Sequence, residues 1–382
     1  MKLLDDILVL DFSQFLSGPS AGLRLADFGA EVIKIERSGI GDICRQLYVS
    51  DVMIEGESTI FHAINRNKKS YAADLKNPVD LEKVKQLIKK ADVMMHNFRP
   101  GVMERIGLDY ETVKALNPSI VYAEISGYGN EGPWRDLPGQ DLLVQSVAGL
   151  TWLSNNKGTP PTPMGVAVVD ILAGTQAAQG ILAALYQRAV SGEGALVQVS
   201  MLEAILDFQF EVLTCFYNDG NELPERSKLS NGNPYIAAPY GIYETASGYL
   251  ALSMGNVPLL GRLTGCDELL KYTDPADWYD KRDEIKSILS AELLRQSAEY
   301  WLSVLIPADV WCAKVLDYDQ LRKEESYREL NMEIKVKTAN GITVTTTRCP
   351  VRVDGELLVS SAGAPLLGEH NREIEERFGL TV

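Results

Sequence analysis

Short apolar runs alternate with helical spacings through the first half of the chain. Residues 7–12 (Ile-Leu-Val-Leu-Asp-Phe) form an apolar run with the look of a buried strand. Residues 13–20 read as a loop carrying Gly18-Pro19. Leu23, Leu25, Ala26 and Phe28 then fall at helical spacing, and Gly29 is a natural stop. Residues 31–36 (Glu-Val-Ile-Lys-Ile-Glu) are the next strand, completing a β-α-β unit. The alternation continues with strands over 71–75, 92–96, 120–125 and 197–201, and an amphipathic helix over 79–91. Small and apolar residues over 175–186 predict a buried helix, and 202–217 a second, longer one. The pattern predicts a doubly wound α/β domain.

The pattern changes after residue 217. Residues 218–239 are polar with Gly and Pro, and 218–231 read as a linker. Two strand patterns, 240–245 and 249–254, flank the turn Ala246-Ser247-Gly248 and predict a hairpin. Charged amphipathic helices follow over 258–305, so 232–318 read as a smaller α+β domain. Residues 319–334 are placed as a second linker. Short β-like runs over 335–347 and 357–360 and a charged terminal helix carry the chain through 335–382.

Within the apolar stretch 163–174 stands one carboxylate, Asp170. Burying an aspartate is unfavourable unless something pairs with it. Two readings stay open on position alone. Asp170 either caps a helix that begins there or carries chemistry.

Composition narrows the field. The 382 residues are 46% hydrophobic and 23% charged, as in ordinary globular proteins. The net charge of −15 argues against nucleic acid or an anionic membrane as the main partner. Five scattered cysteines without metal-ligand spacing, together with three histidines, make a metal site or a Ser-His-Asp triad a poor expectation. Met1 leads into polar residues and a strand, and no apolar run matches a membrane span, so a cytoplasmic protein is expected.

Arg37, Lys76, Arg99 and Arg105 follow predicted strand ends or open the next helix. In a doubly wound sheet those ends line the ligand crevice, and cations there suit phosphate groups. Each taken alone reads more readily as a solvated surface charge. Asn97-Phe98 adds an amide and an aromatic face at one such end. Glu36 ends the second strand where dinucleotide enzymes place a ribose-binding acid. The turn 17–22 (Ser-Gly-Pro-Ser-Ala-Gly) lacks the glycine fingerprint, so a dinucleotide-dependent oxidoreductase is disfavoured.

Several motifs occur in one order. They are Asp11-Phe12 with Ser17-Gly18-Pro19, the run 25–36, Asn67-Lys68-Lys69-Ser70, Asn97-Phe98-Arg99-Pro100-Gly101, and Ser126-Gly127-Tyr128-Gly129 with Gly132-Pro133. Asp170-Ile171-Leu172-Ala173-Gly174, Gly192-Glu193-Gly194 and Leu367-Gly368-Glu369-His370 follow. With these motifs the chain resembles the class III CoA-transferases, the family of formyl-CoA, carnitine and bile-acid CoA-transferases.

The resemblance implies a large Rossmann-like domain over 1–217, completed by about 335–382, and a smaller α+β domain joined by two linkers. It implies a ring-shaped subunit in an interlocked homodimer. It implies Asp170 as the nucleophile that carries anhydride and aspartyl-CoA thioester intermediates. Arg37, Lys76 and Arg105 match residues that meet the CoA phosphates, and Asn97, Phe98 and Arg99 match the adenine-proximal turn. Phe15 and Leu16 match the loop beside the thioester, and Met201 a pocket residue near the nucleophile. Gln140, Asp141, Gly255 and Asn256 match substrate-side positions. Acyl-CoA donor and carboxylic-acid acceptor are the implied partners, with no permanently bound cofactor.

Departures from the family pattern inform specificity. The related α-methylacyl-CoA racemases place a histidine where this chain has Gln140, which cannot shuttle a proton, so a racemase-like activity is disfavoured. A non-catalytic CoA-binding protein is the other alternative. Formyl-CoA transferase has a glutamine at the position of Leu16 and a glycine run at 253–256, so its specificity does not carry over. The acetyl-CoA:oxalate type shares the leucine. Gly255-Asn256 reads equally as an ordinary turn ending a strand.

Overall fold

The computed structural model describes residues 3–47 and 52–381. The chain forms two compact units. One is drawn from Met1–Val144, Val166–Phe208 and Leu330–Val382, the other from Gln145–Gly165 and Gln209–Glu329.

The first unit is built on six strands: β1 (Leu8–Asp11), β2 (Glu31–Glu36), β3 (Lys69–Ala72), β4 (Val93–His96), β5 (Val121–Ser126) and β6 (Ala195–Ser200). Its helices include α1 (Ser17–Asp27), α2 (Pro78–Ile88), α3 (Tyr110–Leu116), α4 (Asp141–Val147), α5 (Val168–Ser191) and α6 (Met201–Phe208). The strands lie in the order β3-β2-β1-β4-β5-β6, and every pairing is parallel. The fold is thus mixed α/β around a parallel central sheet, as the alternating pattern predicts. One face packs Leu8, Leu10, Ile33, Ile35 and Met94 against Val84, Leu87 and Ile88 of α2 and Val113 of α3. α1 and α5 pack against each other, α1 also on β1 and β2 and α5 on β5 and β6. The C-terminal helix Asn371–Phe378 covers the β3 edge, where the Asn371 side chain bonds the Ala72 amide and carbonyl at 2.8 and 2.9 Å. That covers backbone groups an edge strand leaves unpaired.

The strand order reverses between β1 and β4. In open α/β sheets the ligand crevice lies outside the strand ends at this switch point. The loop after β1 and residues Asn97–Arg99 after β4 both sit there.

Several sequence expectations change. α1 begins at Ser17, inside the stretch read as a loop; Pro19 sits in its first turn, where a missing N–H is harmless. The helix read over 175–186 runs from Val168 to Ser191. By length and composition α5 is apolar enough to cross a membrane, with mean hydropathy 1.4, contrary to the expectation that no run reaches that size. Here one face of it packs in the core, burying Val169, Ala173, Ala177 and Ile181. Residues 202–217 are not one buried helix. They break at Gln209, and the second piece, Phe210–Asn218, buries none of its residues. Glu36 is also no free ribose ligand. It is buried, bonded to Arg45 at 2.7 and 2.8 Å and to the Ser70 hydroxyl at 2.7 Å.

The second unit has an antiparallel sheet of Cys312–Lys314, Tyr249–Leu252 and Gly241–Glu244, the last two being the hairpin. Tyr243, Leu250 and Leu252 pack on Leu260, Ile285, Leu289 and Trp301. Residues 145–165 group with this unit because they are laced to 226–231. Arg226 donates to the Ser154 and Thr159 carbonyls at 2.7 and 2.9 Å, and the Lys157 amide bonds the Ser227 carbonyl at 2.8 Å. Residues 319–334 overlap the short helix Tyr318–Lys323 and contain the helix Glu325–Glu329.

Candidate active site

Asp170 is the third residue of α5, not its cap. Ala167 holds the cap position and offers no side-chain bond. The capping is done from a distance by Asp141. Its Oδ2 accepts the amide protons of Val169 at 2.8 Å and Asp170 at 3.1 Å. These are the amides a local cap residue would satisfy. Asp141 reaches them because the loop before it closes on itself at Gly127 and Gly139. A Cβ on Gly127 would lie 2.6 Å from the Gly139 Cα, so only two glycines cross this tightly.

A second helix start meets the same carboxylate. Ser17, the first residue of α1, presents its hydroxyl and amide to Asp170 and favours the charged carboxylate. The close approach depends on Gly174, one turn along α5. A Cβ there would meet the Ser20 Oγ and, at 2.5 Å, the Ser17 carbonyl oxygen. Two helix N-termini therefore converge on one half-buried carboxylate. Burial and the nearby Asp141 carboxylate push Asp170 up to about 6, and the polar groups of Ser17 offset part of that rise. The carboxylate is still mostly ionised at neutral pH.

The loop before Ser17 is held on every side. Asn97 Oδ1 accepts the Gln14 amide at 2.8 Å, and its Nδ2 donates to the Gln14 carbonyl at 2.7 Å and the Ser17 hydroxyl at 3.2 Å. The Asn97 amide is thus engaged with the protein itself. Phe15 is 43% exposed with φ at 62°, and Leu16 packs beside Cys44, Phe61 and Ile64.

Phe98 and Arg99 border a cavity of about 350 Å³, also lined by His96, Met103, Tyr110 and Tyr122. The Phe98 ring stacks on His96. His96 is buried, which pushes it down to about 4 and keeps it neutral. Its Nδ1 accepts the Phe98 amide at 3.3 Å, and its Nε2 has no hydrogen-bond partner among the described residues. Arg37, Lys76 and Arg105 are all exposed. Met201 is buried as the first residue of α6.

Gln140 is exposed, its carbonyl accepting the Val144 amide at 3.0 Å. Gly255 and Asn256 belong to the second unit. There Asn256 caps the helix Val257–Thr264, accepting the Leu259 amide at 2.8 Å, as an ordinary strand-ending turn would. Phe15 to Ser17, Asn97, Asp141 and Asp170 come together around one point. Ser17 was missed on sequence because Ser-Gly-Pro reads as a turn. Its one signal was the run of small residues after it.

Asp141 carries the first testable consequence. Asp141→Asn keeps an oxygen to accept from α5 but removes the like charge. The acid limb of any Asp170-dependent rate then moves to lower pH, read from a pH–rate profile; an unmoved limb contradicts the coupling.

Known proteins share this architecture. An acetyl-CoA:oxalate CoA-transferase from Acetobacter aceti is 33% identical over 98% of this chain and 95% of its own. A succinate–glutarate CoA-transferase from Agrobacterium fabrum is 31% identical over 97% of this chain and 94% of its own. The crystal structure of a CAIB/BAIF family protein from Brucella suis superposes with a TM-score of 0.84 at 28% identity, covering 98% of both chains. The model of CoA-transferase family III matches residues 4–371, and the chain belongs to that family.

Proposed function

We propose that this protein transfers CoA from a short acyl-CoA to a dicarboxylic acid through covalent adducts on Asp170. The observation that carries the reading is the half-buried Asp170 carboxylate at two converging helix starts. An Asp170 oxygen attacks the thioester carbonyl carbon, the C–S bond breaks, and a mixed anhydride and CoA thiolate result. The thiolate attacks the aspartyl carbonyl carbon and expels the donor acid as its carboxylate, leaving an aspartyl-CoA thioester. The acceptor carboxylate displaces CoA through a second anhydride. The thiolate then attacks the acceptor carbonyl, giving the new acyl-CoA and free Asp170.

Covalent catalysis splits one difficult exchange into easier steps. Donors at the α1 start, Ser17 foremost, are placed to stabilise negative charge developing at the aspartyl carbonyl. Asp141 holds the α5 start and so fixes where Asp170 points. Phe98 and Arg99, beside a cavity with an unpartnered His96 nitrogen, offer an aromatic face and a cation to the nucleotide end of CoA. Arg37, Lys76 and Arg105 are the proposed phosphate partners, Phe15, Leu16 and Met201 the thioester surroundings, and Gln140, Gly255 and Asn256 the acceptor side. The acceptor class follows the two curated relatives, whose names specify oxalate and glutarate.

The nucleophile must be ionised, so the rate falls about tenfold per pH unit below about 6. An ordinary aspartate would hold its rate down to about pH 4. The direct assay mixes acetyl- or succinyl-CoA with a panel of mono- and dicarboxylic acids. A new CoA ester of a dicarboxylate is expected by mass spectrometry, and no new ester with any acid contradicts the reading.

We further propose the family's homodimer, with two domains joined by linkers at 218–231 and 319–334. Large apolar side chains stand exposed on α5, with Tyr186 at 77% and Val190 at 79%, and on the helix Phe210–Asn218. Faces of this kind mark protein interfaces. Tyr186→Asp with Val190→Asp should shift light scattering from dimer to monomer; a monomeric parent protein contradicts the proposal.

A further inference from the structure

The first unit buries more charge than its core needs. Asp11, Lys34, Glu36, Asp42, Arg45 and Lys68 are all almost fully buried near the loop after β1. Two lysines grip that loop from below. Lys34 Nζ donates to the Ser13 carbonyl at 2.7 Å and pairs with Asp42 Oδ2 at 2.8 Å. Lys68 Nζ pairs with Asp11 at 2.9 Å and donates to the Pro19 carbonyl at 2.8 Å. Asp11 in turn accepts the Ser13 amide at 3.0 Å and its hydroxyl. Asp42 Oδ1 accepts the amides of Phe15 at 3.1 Å and Cys44 at 2.9 Å.

Phe15 needs this support. An aromatic residue at φ 62° sits in the left-handed region that side chains other than glycine, asparagine and aspartate avoid. Such conformations persist where the surroundings over-determine them. Here Ser13 is held by Asp11 and Lys34, Gln14 by Asn97, Phe15 by Asp42 and the Ser17 hydroxyl by Asn97. Two residues beyond Phe15 stands Ser17, at the helix start that packs closely on α5 one turn from Asp170.

We propose that Asp42, braced by Lys34, is a positioning residue for the Asp170 reaction. It touches no reacting atom. By holding Phe15 in its left-handed turn it aims the start of α1, and with it Ser17, at the nucleophile. The proposal rests on the reading of Asp170 as the acyl carrier.

The groups that face Asp170 define a readout that loss of fold alone would not move. The charged one is Asp141, and α1 presents Ser17 with no acid or base in the first turn. α6, which also packs on α5, carries Glu203 and Asp207, bonded to Ser200 and Gln176. Loosening Ser17 therefore raises the pH midpoint of adduct formation.

The test measures single-turnover labelling of Asp170 by an acyl-CoA across pH, together with CoA affinity. The proteins are the parent, Asp42→Ala, Asp42→Asn and Asp27→Asn. The last breaks the buried Asp27–Arg66 pair at the end of α1 far from Ser17 and controls for lost stability. Asp42→Ala should label about 100-fold more slowly with a raised pH midpoint and CoA affinity within about threefold. Asp42→Asn, which keeps the acceptor but loses the charge toward Lys34, should shift both in the same direction by less. Asp27→Asn should lose thermal stability with an unmoved midpoint. Labelling by Asp42→Ala, or by Asp42→Asn if the alanine variant does not fold, at the parent rate and midpoint overturns the positioning role alone. A parent protein that never labels overturns the Asp170 reading and this inference with it.

Discussion

Replacing Asp170 by asparagine should abolish CoA exchange, by at least about four orders of magnitude, and make the protein more stable. The first effect follows from losing the proposed nucleophile. The second follows from linkage. Asp170 is pushed up to about 6 in the folded chain from an ordinary 3.8, so folding disfavours its charged form. A raised carboxylate does not destabilise the fold below about pH 4, where it is protonated in both states. The penalty develops as pH rises from about 4 to about 6 and is complete above that. Discounted for partial exposure it amounts to about 1–2 kcal/mol. The asparagine variant should therefore melt higher than the parent at pH 7.5, with the gap closing near pH 4. Equal melting temperatures at pH 7.5 would show that Asp170 is not held in a disfavoured charge state. Such a trade of stability for reactivity is expected at a catalytic site.

Gly174→Ala should cut turnover about 100-fold while leaving CoA affinity nearly intact. The added methyl would stand 2.5 Å from the Ser17 carbonyl oxygen and against the Ser20 hydroxyl. The carbonyl is backbone and cannot rotate aside, so α1 and α5 must separate where Ser17 meets Asp170. Alanine's better helix propensity, worth about 1 kcal/mol, works against the clash, so the loss of stability is modest. Turnover and CoA affinity measured side by side decide the point. Unchanged turnover would mean the contact between the helix starts has no part in the reaction.

The sheet was legible in the chain because fully buried parallel strands read as plain apolar runs, and residues 7–12, 31–36 and 92–96 are such runs. Asp170 stood out for a related reason, as one acid in an apolar stretch. Its surroundings were harder to see. The cap of α5 comes from Asp141, 28 residues earlier, and local capping rules cannot register a partner brought by a closed loop. Ser17 was hidden by Gly18 and Pro19, which signal a turn in most settings yet fit the first turn of a helix. Residues 210–218 misled in the opposite sense. Their hydrophobicity reads as burial, but the chain alone leaves Phe210 at 68% exposure. Apolar sequence marks a surface that avoids water without saying what covers it.

The buried charges show a third limit. Lys34, Glu36 and Asp42 look like strand-end or loop polar residues, and Glu36 even mimics a ribose-binding acid. Only the fold shows each closed upon another: Lys34 on Asp42, Glu36 on Arg45. Burying such pairs is a poor route to stability, so their place under the loop that feeds the site is the more telling fact.

In the proposed mechanism Asp170 carries the acyl and CoA groups. Incubating the parent protein with succinyl-CoA, trapping with borohydride and sequencing the peptides by mass spectrometry tests it directly. The account predicts a peptide in which Asp170 has become homoserine, formed only when acyl-CoA is present and absent from Asp170→Asn. Acyl-CoA-dependent exchange with an unmodified Asp170, or an adduct on any other residue, would contradict it.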